Sequence, residues 1–126
     1  MKLSIITINY NNAQGLLKTL NSVLTQTCLE FEHVIVDGAS TDNVVEIIEQ
    51  YEKDATACGI KVTWVSEKDK GIYNAMKKGI KMASGEYIQI LSSGDCLAAD
   101  TVVADMFRAL KVNGYPEILY GNMTKV

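Results

Sequence analysis

Residues 33–42 read His-Val-Ile-Val-Asp-Gly-Ala-Ser-Thr-Asp, and this stretch decides the fold. Its first four residues form a short, largely apolar run, which is typical of a strand buried on both faces. Asp37-Gly38 follows at once as a turn, and either Thr41 or Asp42 then supplies a cap for a helix. A buried strand that passes through a polar turn into a helix indicates one half of a βαβ unit.

The same alternation of apolar runs and helical patterns extends over the whole chain. Strands are predicted at residues 3–8, 33–36, 61–65, 87–91 and 117–120. Helices are predicted between them, at residues 16–24, 44–51, 72–83 and 102–110. Strands that alternate with helices of this length favour an open, mostly parallel, Rossmann-like α/β sheet with helices on both faces. Ligands of such sheets bind at the carboxyl ends of the strands, where the strand order reverses.

Length and composition exclude several classes of function. The 126 residues suit a single domain, and a net charge of -3 gives no basic footprint for nucleic acid. Three distant cysteines without CxxC spacing predict reduced thiols rather than disulfides or zinc. No apolar run approaches the roughly 18 residues of a membrane span, and the N-terminus lacks a signal peptide. We therefore expect a cytoplasmic protein, or one held at the inner face of the plasma membrane by parts outside this chain.

Polar residues stand at the ends of the first two predicted strands. Thr7, Asn9 and Tyr10 provide hydrogen-bonding groups around a ring able to stack on a nucleobase. The alternative for the neighbouring Asn11-Asn12 pair is the capping of the next helix. Asp37 ends the second strand, where an unpartnered charge is costly, so we predict that its carboxylate binds a base or ribose.

The third and fourth strands end in two further candidate segments. Glu67 and Asp69 follow the third strand and either line the pocket or belong to a solvated charged loop. The turn Ser93-Gly94-Asp95 follows the fourth strand, and the order 3-2-1-4 places Asp95 beside Asp37. An aspartate is a suitable ligand for Mg²⁺ or Mn²⁺ shared with a diphosphate. Neither a GxGxxG nor a GxxxxGK[ST] fingerprint occurs.

Five segments, taken in order, resemble the family-2 glycosyltransferases of the GT-A fold. They are residues 4–11, 36–42, 66–76, 85–88 and 91–95. The likeness runs from residue 3 to about residue 122 and is strongest to bacterial enzymes of exopolysaccharide and lipopolysaccharide synthesis, the colanic-acid type among them. The resemblance implies that Thr7, Asn9 and Tyr10 contact the nucleobase, with Tyr10 stacked on it.

The resemblance also assigns the remaining site residues. Asp37 would hydrogen-bond the base or ribose, and Asp69 would border the nucleoside pocket. Ser93 and Asp95 occupy the family's DXD-like motif, in which Asp95 would bind the divalent metal, Mn²⁺ or Mg²⁺, that holds the diphosphate. The substrate would be a UDP- or GDP-sugar, and an inverting transfer would deliver the sugar to a glycan or lipid-linked acceptor.

Two departures from the family pattern and one gap accompany this assignment. The DXD-like motif has one carboxylate, while Asn74 replaces a common Asp and Lys77 a common Asn. In the family, the acceptor site and the general base lie beyond the fifth strand. We therefore expect residues 1–126 to be a nucleotide-sugar-binding domain truncated before the acceptor-binding half, with the general base beyond residue 126.

Two alternatives to a complete enzyme remain open from the sequence. The chain either binds nucleotide sugars without transferring them, or it self-associates through the fifth strand, residues 118–120, as an uncovered edge. A homodimer is the expected product of the second alternative, and peripheral membrane association is expected only of a longer protein.

Overall fold

The computed structural model describes residues 3–97, 99–112 and 124–125 of the protein. The elements are β1 (Leu3–Asn9), α1 (Ala13–Leu24), β2 (Phe31–Asp37), α2 (Val44–Ala57), β3 (Lys61–Ser66), α3 (Ile72–Met82), β4 (Tyr87–Ile90), β5 (Asp95–Cys96), α4 (Val102–Val112) and β6 (Thr124–Lys125). Four predicted strands and four predicted helices are thus confirmed. The predicted fifth strand, at residues 117–120, lies outside the described residues.

Strands β1 to β4 form one parallel sheet in the order β3-β2-β1-β4, as predicted. Asn9 pairs with Asp37 and Asp37 with Ser66, so the ends of three strands lie side by side. Strand β1 lies between β2 and β4. The expectation that Asp95 lies beside Asp37 is therefore wrong in that direct form, because the end of β1 separates them. A separate antiparallel pair joins β5 to β6.

Alternate side chains of the strands face two different apolar clusters. Leu3, Ile5 and Ile35 face the larger cluster, which also contains side chains of α1, α2 and α4. Ile6 and Val34 face a smaller cluster with α3. Right-handed crossovers explain this arrangement. From β1 to β3 each new strand is added on the same side, so α1 and α2 lie on one face of the sheet. The connection from β3 to β4 runs back to the other side of β1, so α3 lies on the opposite face. The prediction of helices on both faces is confirmed.

Helix α3 lies unusually close to the sheet because it carries a glycine at the contact. A Cβ atom built on Gly79 would lie 2.5 Å from Cγ2 of Ile6 and 3.5 Å from Cγ2 of Val36. The missing side chain lets the helix backbone approach β1, and its N-terminus then lies above the ends of the strands. None of the helices in the described ranges is both long and apolar enough to cross a bilayer.

Capping of the helices corrects one sequence-based expectation. The Asn12 side chain accepts a hydrogen bond from Gly15 N (3.1 Å), which confirms an asparagine cap for α1. Helix α2 begins after Asn43, without a side-chain cap. The prediction of Thr41 or Asp42 as its cap is wrong. Asp42 Oδ2 instead accepts from Ala13 N (3.2 Å), the first residue of α1, and so joins the two loops.

Candidate functional site

A cleft of about 690 Å³ opens at the carboxyl ends of β1, β2 and β3. This volume suits a small-molecule site. The lining residues come from the strand ends, from the loop after β3 and from the start of α3: Ile8, Asn9, Tyr10, Gly38, Ala39, Lys68, Asp69, Gly71, Ile72, Ala75 and Ser92. The structure thus has a cleft at the place where an open parallel sheet is expected to bind its ligand.

Asp37 is the hydrogen-bonding centre beneath this cleft, and it is almost fully buried. Its Oδ1 accepts from Asn9 Nδ2 (2.9 Å) and Ser40 Oγ (2.5 Å). Its Oδ2 accepts from Ser40 N (3.0 Å) and Ser66 Oγ (2.7 Å). Burial raises the pKa of Asp37, but the bonds from Ser40, Asn9 and Ser66 outweigh burial and hold that pKa below its usual range. Asp37 is therefore a carboxylate whose protein bonds join three strand ends.

Asn9 carries an acceptor atom that the described residues leave unpartnered. Because the carboxylate of Asp37 only accepts, the amide nitrogen of Asn9 faces it, and this fixes the orientation of the amide. Asn9 Oδ1 is buried and has no hydrogen-bond partner in the described part of the chain. Buried polar atoms are rarely left in this condition. Asn9 lines the cleft, but Oδ1 itself is covered by protein atoms, so a ligand donor reaches it only if the amide or the loop after β1 shifts.

Gly38 lies between two of the predicted ligand-binding side chains. A Cβ atom built on Gly38 would lie 3.0 Å from Asp69 Oδ2 and 3.2 Å from Tyr10 Cδ1. Any side chain at this position would therefore enter the cleft between Tyr10 and Asp69. The ring of Tyr10 is 65% exposed, which leaves its surface available for stacking on a planar ligand.

The loops that follow β1 and β2 are fixed to each other by side-chain bonds. Asn11 N donates to Ser40 Oγ (2.8 Å), and Thr41 N donates to Asn11 Oδ1 (2.8 Å). Asn11 and Ala39 both have positive φ, 45° and 60°. A left-handed conformation is unfavourable for alanine, and such strain is concentrated at functional sites.

Residues Ser93-Gly94-Asp95 belong to a turn that begins at Ser92. Asp95 N donates to Ser92 O (2.9 Å), and Gly94 takes the third position of this turn with a φ of 96°. Positive φ at the third position favours glycine. Ser93 N donates to Ile8 O (3.0 Å), so the turn continues the pairing of β4 with β1. Of this segment, Ser92 lines the cleft.

The family resemblance implies a divalent metal, and the Ser93-Gly94-Asp95 turn offers two side-chain oxygen donors for it. The Asp95 carboxylate and the Ser93 hydroxyl are hard oxygen donors, which suit Mg²⁺ or Mn²⁺. No group of three His, Cys, Asp or Glu side chains able to hold a metal occurs among the described residues. The donor set fits a metal that takes most of its ligands from water and a diphosphate, and it does not fit an all-protein cage.

The structure brings some of the sequence-predicted residues together and separates others. Asn9, Tyr10 and Asp69 line the cleft, and Asp37 supports it. Thr7 lies apart, because its side chain is fully buried with Oγ1 2.7 Å from His33 Nε2. Of the two acidic residues after β3, Asp69 lines the cleft.

Glu67 is paired with Lys78 on α3, with Oε1 3.1 Å from Nζ. The structure also assigns a contact to Asn74, whose Oδ1 accepts from Lys70 N (3.0 Å) and so holds the loop before α3. An aspartate would accept the same bond, which accounts for the exchange of Asp and Asn at this position. Lys77 is exposed, and the structure gives no reason for its departure from the family pattern.

Sequence reasoning missed the apolar and cationic parts of the cleft. Lys68, Ile72 and Ala75 line it, and they come from the loop after β3 and the first turn of α3. Ile72 is the first residue of α3 and is 58% exposed. An apolar residue beside the N-terminal glycine of a helix, at the ligand-binding edge of a sheet, is the signal that would have found it.

Comparison with known proteins gives a consistent family. The sequence profile described as Glycosyl transferase family 2 matches residues 4–122. An uncharacterized glycosyltransferase of Mycobacterium tuberculosis is 37% identical over 119 residues, which are 94% of this chain and 43% of that relative. The chain thus spans less than half the length of this relative.

Solved structures show the same fold. S. aureus TarS 1-349 in complex with UDP-GlcNAc has a TM-score of 0.78 and 28% identity, over 90% of this chain and 32% of that one. The mannosyltransferase PcManGT from Pyrobaculum calidifontis, in complex with GDP-Man and Mn²⁺, has a TM-score of 0.76 and 24% identity, over 86% and 32%. The fold of this chain is therefore the GT-A fold, as predicted.

Proposed function

The chain belongs to glycosyl transferase family 2, and on this premise we propose that it binds a nucleoside-diphosphate sugar for transfer to a glycan or lipid-linked acceptor. The observation that carries the proposal is the cleft at the strand ends, where an exposed ring, an unpartnered amide oxygen and an acidic side chain meet. These groups belong to Tyr10, Asn9 and Asp69. They match the stacking face, the imide or amide N–H and the hydroxyl groups of a nucleoside.

Base recognition follows from the orientation of Asn9. Its unpartnered Oδ1 requires a donor, and uracil and guanine both present an N–H on the edge that pairs with other bases. Cytosine and adenine offer an exocyclic amino group on the same edge, so the choice of a UDP- or GDP-sugar rests on the family resemblance and not on this contact. The UDP-GlcNAc bound by the 28% identical TarS is consistent with the same class of ligand.

The diphosphate is assigned to the Ser93-Gly94-Asp95 turn and Lys68. The turn extends β4 beside the end of β1, and Lys68 contributes a positive charge to the lining of the cleft. A divalent metal bound at Asp95 would neutralise negative charge on the departing diphosphate. Asp95, at the end of the turn, would supply one carboxylate ligand to that metal.

The proposed reaction is a single displacement with inversion. The acceptor hydroxyl oxygen forms a bond to the anomeric carbon, while the bond from that carbon to the diphosphate oxygen breaks. A general base takes the hydroxyl proton. We place that base outside residues 1–126, in agreement with the family resemblance. The residues of this chain bind and orient the donor.

The cellular setting is proposed on the same basis. Three cysteines, odd in number and without CxxC spacing, favour reduced thiols, and on that ground we propose a cytoplasmic location. The acceptor would then be a precursor of a cell-surface polysaccharide, and attachment to the inner face of the plasma membrane would belong to the longer protein. The colanic-acid type and a homodimer stay predictions.

Calorimetry tests the donor-binding part of the proposal. UDP and GDP are titrated in the presence and absence of Mn²⁺ into the wild type and into Asp69→Ala, Asp95→Ala and Gly38→Val. We expect binding of one nucleotide and a loss of affinity in all three variants. Asp54→Ala is the matched control, because Asp54 lies on exposed α2 surface away from the cleft. Binding that none of the three substitutions weakens would contradict the proposed site.

Transfer is tested separately, with UDP- and GDP-sugars and a lipid-linked acceptor. Turnover by the 126-residue chain would establish that it completes the reaction. Nucleotide binding without turnover would favour the binding-only alternative.

A further inference from the structure

Helix α1 and the turn that follows it carry three polar side chains that contact the segment containing Asp95. Thr19 and Ser22 lie in α1, and Gln26 lies two residues beyond its last residue, Leu24. Their spacings of three and four residues place them on one side of the helix and its C-terminal turn. Thr19 is fully buried and Gln26 is 5% exposed. We call them the α1 ladder. Polar residues at such positions are costly unless each is hydrogen-bonded.

Thr19 holds the turn from beneath. Its Oγ1 accepts from Gly94 N (2.9 Å) and lies 2.6 Å from the carbonyl oxygen of Asp95. A hydroxyl has one proton, and the Asp95 carbonyl is the nearest of the acceptors around it. Gly94 N also lies 3.1 Å from Gly15 O. The backbone on both sides of the Gly94–Asp95 peptide is thus bonded to α1.

The other two members of the ladder hold the chain beyond the turn. Ser22 Oγ accepts from Leu97 N (3.2 Å). Gln26 Nε2 donates to Ala99 O (2.8 Å), and its Oε1 accepts from Val103 N (3.0 Å) at the start of α4. Side chains of α1 and of the turn after it thus satisfy backbone groups of the segment after β4, none of which belongs to the main sheet: those of Gly94, Asp95, Leu97, Ala99 and Val103. Such groups would otherwise be left without partners in the interior.

We propose that the α1 ladder positions the Ser93-Gly94-Asp95 turn, to which the proposed function assigns a metal ion. Thr19 then sets the position of Asp95 relative to the diphosphate. This inference rests on the proposed function, because it assigns Asp95 to a metal–diphosphate complex. Thr19 contacts neither metal nor nucleotide and acts through the backbone of Gly94 and Asp95. The nucleoside end of the cleft has its own support in the bonds of Asp37, and it does not depend on the ladder.

This division predicts a specific pattern of binding. Thr19→Val keeps the shape of the side chain and removes the hydroxyl. We expect it to weaken the Mn²⁺-dependent binding of UDP or GDP about 10- to 100-fold, as for other groups that orient metal ligands. Binding of the nucleoside, uridine or guanosine, should change by less than about twofold. Thr19→Ser restores the hydroxyl and should restore the metal-dependent affinity.

A matched control lies on the same helix. Thr25 is exposed, and its Oγ1 donates to Ser22 O (3.3 Å) within the helix. Thr25→Val therefore makes the same chemical change without touching the turn, and we expect wild-type binding of nucleotide and nucleoside. If Thr19→Val reduces nucleoside and nucleotide affinity equally, or leaves both unchanged, the positioning role is wrong.

Amide hydrogen exchange gives a readout that needs no ligand. Thr19→Val should accelerate exchange at Gly94, and Ser22→Ala should do so at Leu97, while Thr25→Val should affect neither. Unchanged exchange at Gly94 in Thr19→Val would overturn the inference, even if no nucleotide bound. Conversely, faster exchange at Gly94 in a protein that binds neither UDP nor GDP would support the ladder and contradict the proposed function. Ser22→Ala supplies the test of the ladder if Thr19→Val does not fold.

Discussion

Asn9 Nδ2 donates to Asp37 Oδ1 over 2.9 Å, and this bond connects the ends of the two central strands, β1 and β2. It also fixes the direction of the Asn9 amide, whose other end is the unpartnered acceptor of the cleft. Each oxygen of Asp37 accepts two hydrogen bonds from protein groups. In the proposed site Asp37 therefore supports Asn9, whose amide oxygen has no partner among the described residues.

Asp37→Asn tests this relationship. Each oxygen of Asp37 accepts from one N–H that can only donate, Asn9 Nδ2 on one side and Ser40 N on the other. The amide nitrogen of the new side chain would face either Ser40 N or Asn9 Nδ2, and two N–H groups cannot bond to each other. The alternative is a flip of the Asn9 amide, which puts its N–H where its unpartnered oxygen was. We expect a loss of about 1–3 kcal/mol in the free energy of unfolding.

Nucleotide affinity should fall in the same variant by about 5- to 150-fold, the factor that corresponds to the cost of about 1–3 kcal/mol for a mispaired polar group. Urea unfolding and calorimetry with UDP and GDP measure the two effects. Asp54→Asn makes the same change on an exposed helix and should alter neither quantity. A variant with wild-type affinity and wild-type stability would show that the Asn9–Asp37 bond does not organise the cleft.

His33 predicts how stability depends on pH. Burial lowers its pKa from 6.5 to about 3. Its ring lies between Thr7 Oγ1 and the Tyr51 hydroxyl, with Nδ1 2.5 Å from the latter. The unfolded chain binds a proton at His33 below about pH 6.5 and the folded chain does not, so stability is complete above that pH and falls below it. The expected slope is about 1.4 kcal/mol per pH unit.

His33→Gln removes this titration while keeping one donor and one acceptor in the side chain. Urea unfolding at pH 7, 6, 5 and 4 should then show a slope reduced by the contribution of His33, whatever the stability at pH 7. The lowered pKa of Asp37 acts in the same direction, but only near and below its ordinary value of 3.8. Identical slopes for wild type and variant between pH 6 and pH 4 would exclude a neutral buried His33.

Much of this architecture could be predicted because the strands are buried on both faces. In β1 only single polar residues, Ser4 and Thr7, interrupt the apolar run, and β2 contains the uninterrupted run 34–36. Such runs are typical of central parallel strands. The strand ends could be predicted as well, because a polar residue or a glycine follows each apolar run. Asp37 ends the run of β2, and Gly94 lies in the turn after β4. The order β3-β2-β1-β4 then followed from handedness and the family resemblance.

The contacts between elements could not be predicted, because periodicity identifies a buried face without showing what lies against it. Thr19 lies within the apolar stripe of α1 and Gln26 just beyond the end of the helix, and a buried polar residue at such a position was the available signal for a bond to another segment. Thr7 shows the opposite error. It stands at a strand end in the sequence, but its side chain alternates into the core, where it meets His33.

Gly79→Ala has two opposing effects on the free energy of unfolding, one from helix propensity and one from packing. Alanine stabilises the interior of a helix by about 1 kcal/mol over glycine. A Cβ atom at this position would lie 2.5 Å from Ile6 Cγ2, and overpacking of this kind costs about 1–3 kcal/mol. We expect net destabilisation, measured by thermal or urea unfolding. Lys77→Ala on the exposed side of α3 is the control and should change stability little; a more stable Gly79→Ala would mean that the helix can move away from β1.

Ala39→Gly should have the opposite effect on stability. Ala39 is exposed at the edge of the cleft with a φ of 60°, a left-handed conformation that costs an L-residue about 1–2 kcal/mol. Glycine removes this cost and gains conformational freedom in the unfolded chain, which leaves a net stabilisation of about 0.5–1 kcal/mol. Lys53→Gly provides the contrast, because Lys53 is exposed in the interior of helix α2, where glycine destabilises by about 0.5–1 kcal/mol. Urea unfolding of both variants at pH 7 should therefore give shifts of opposite sign, and a destabilised Ala39→Gly would show that the loop holds its left-handed conformation without strain.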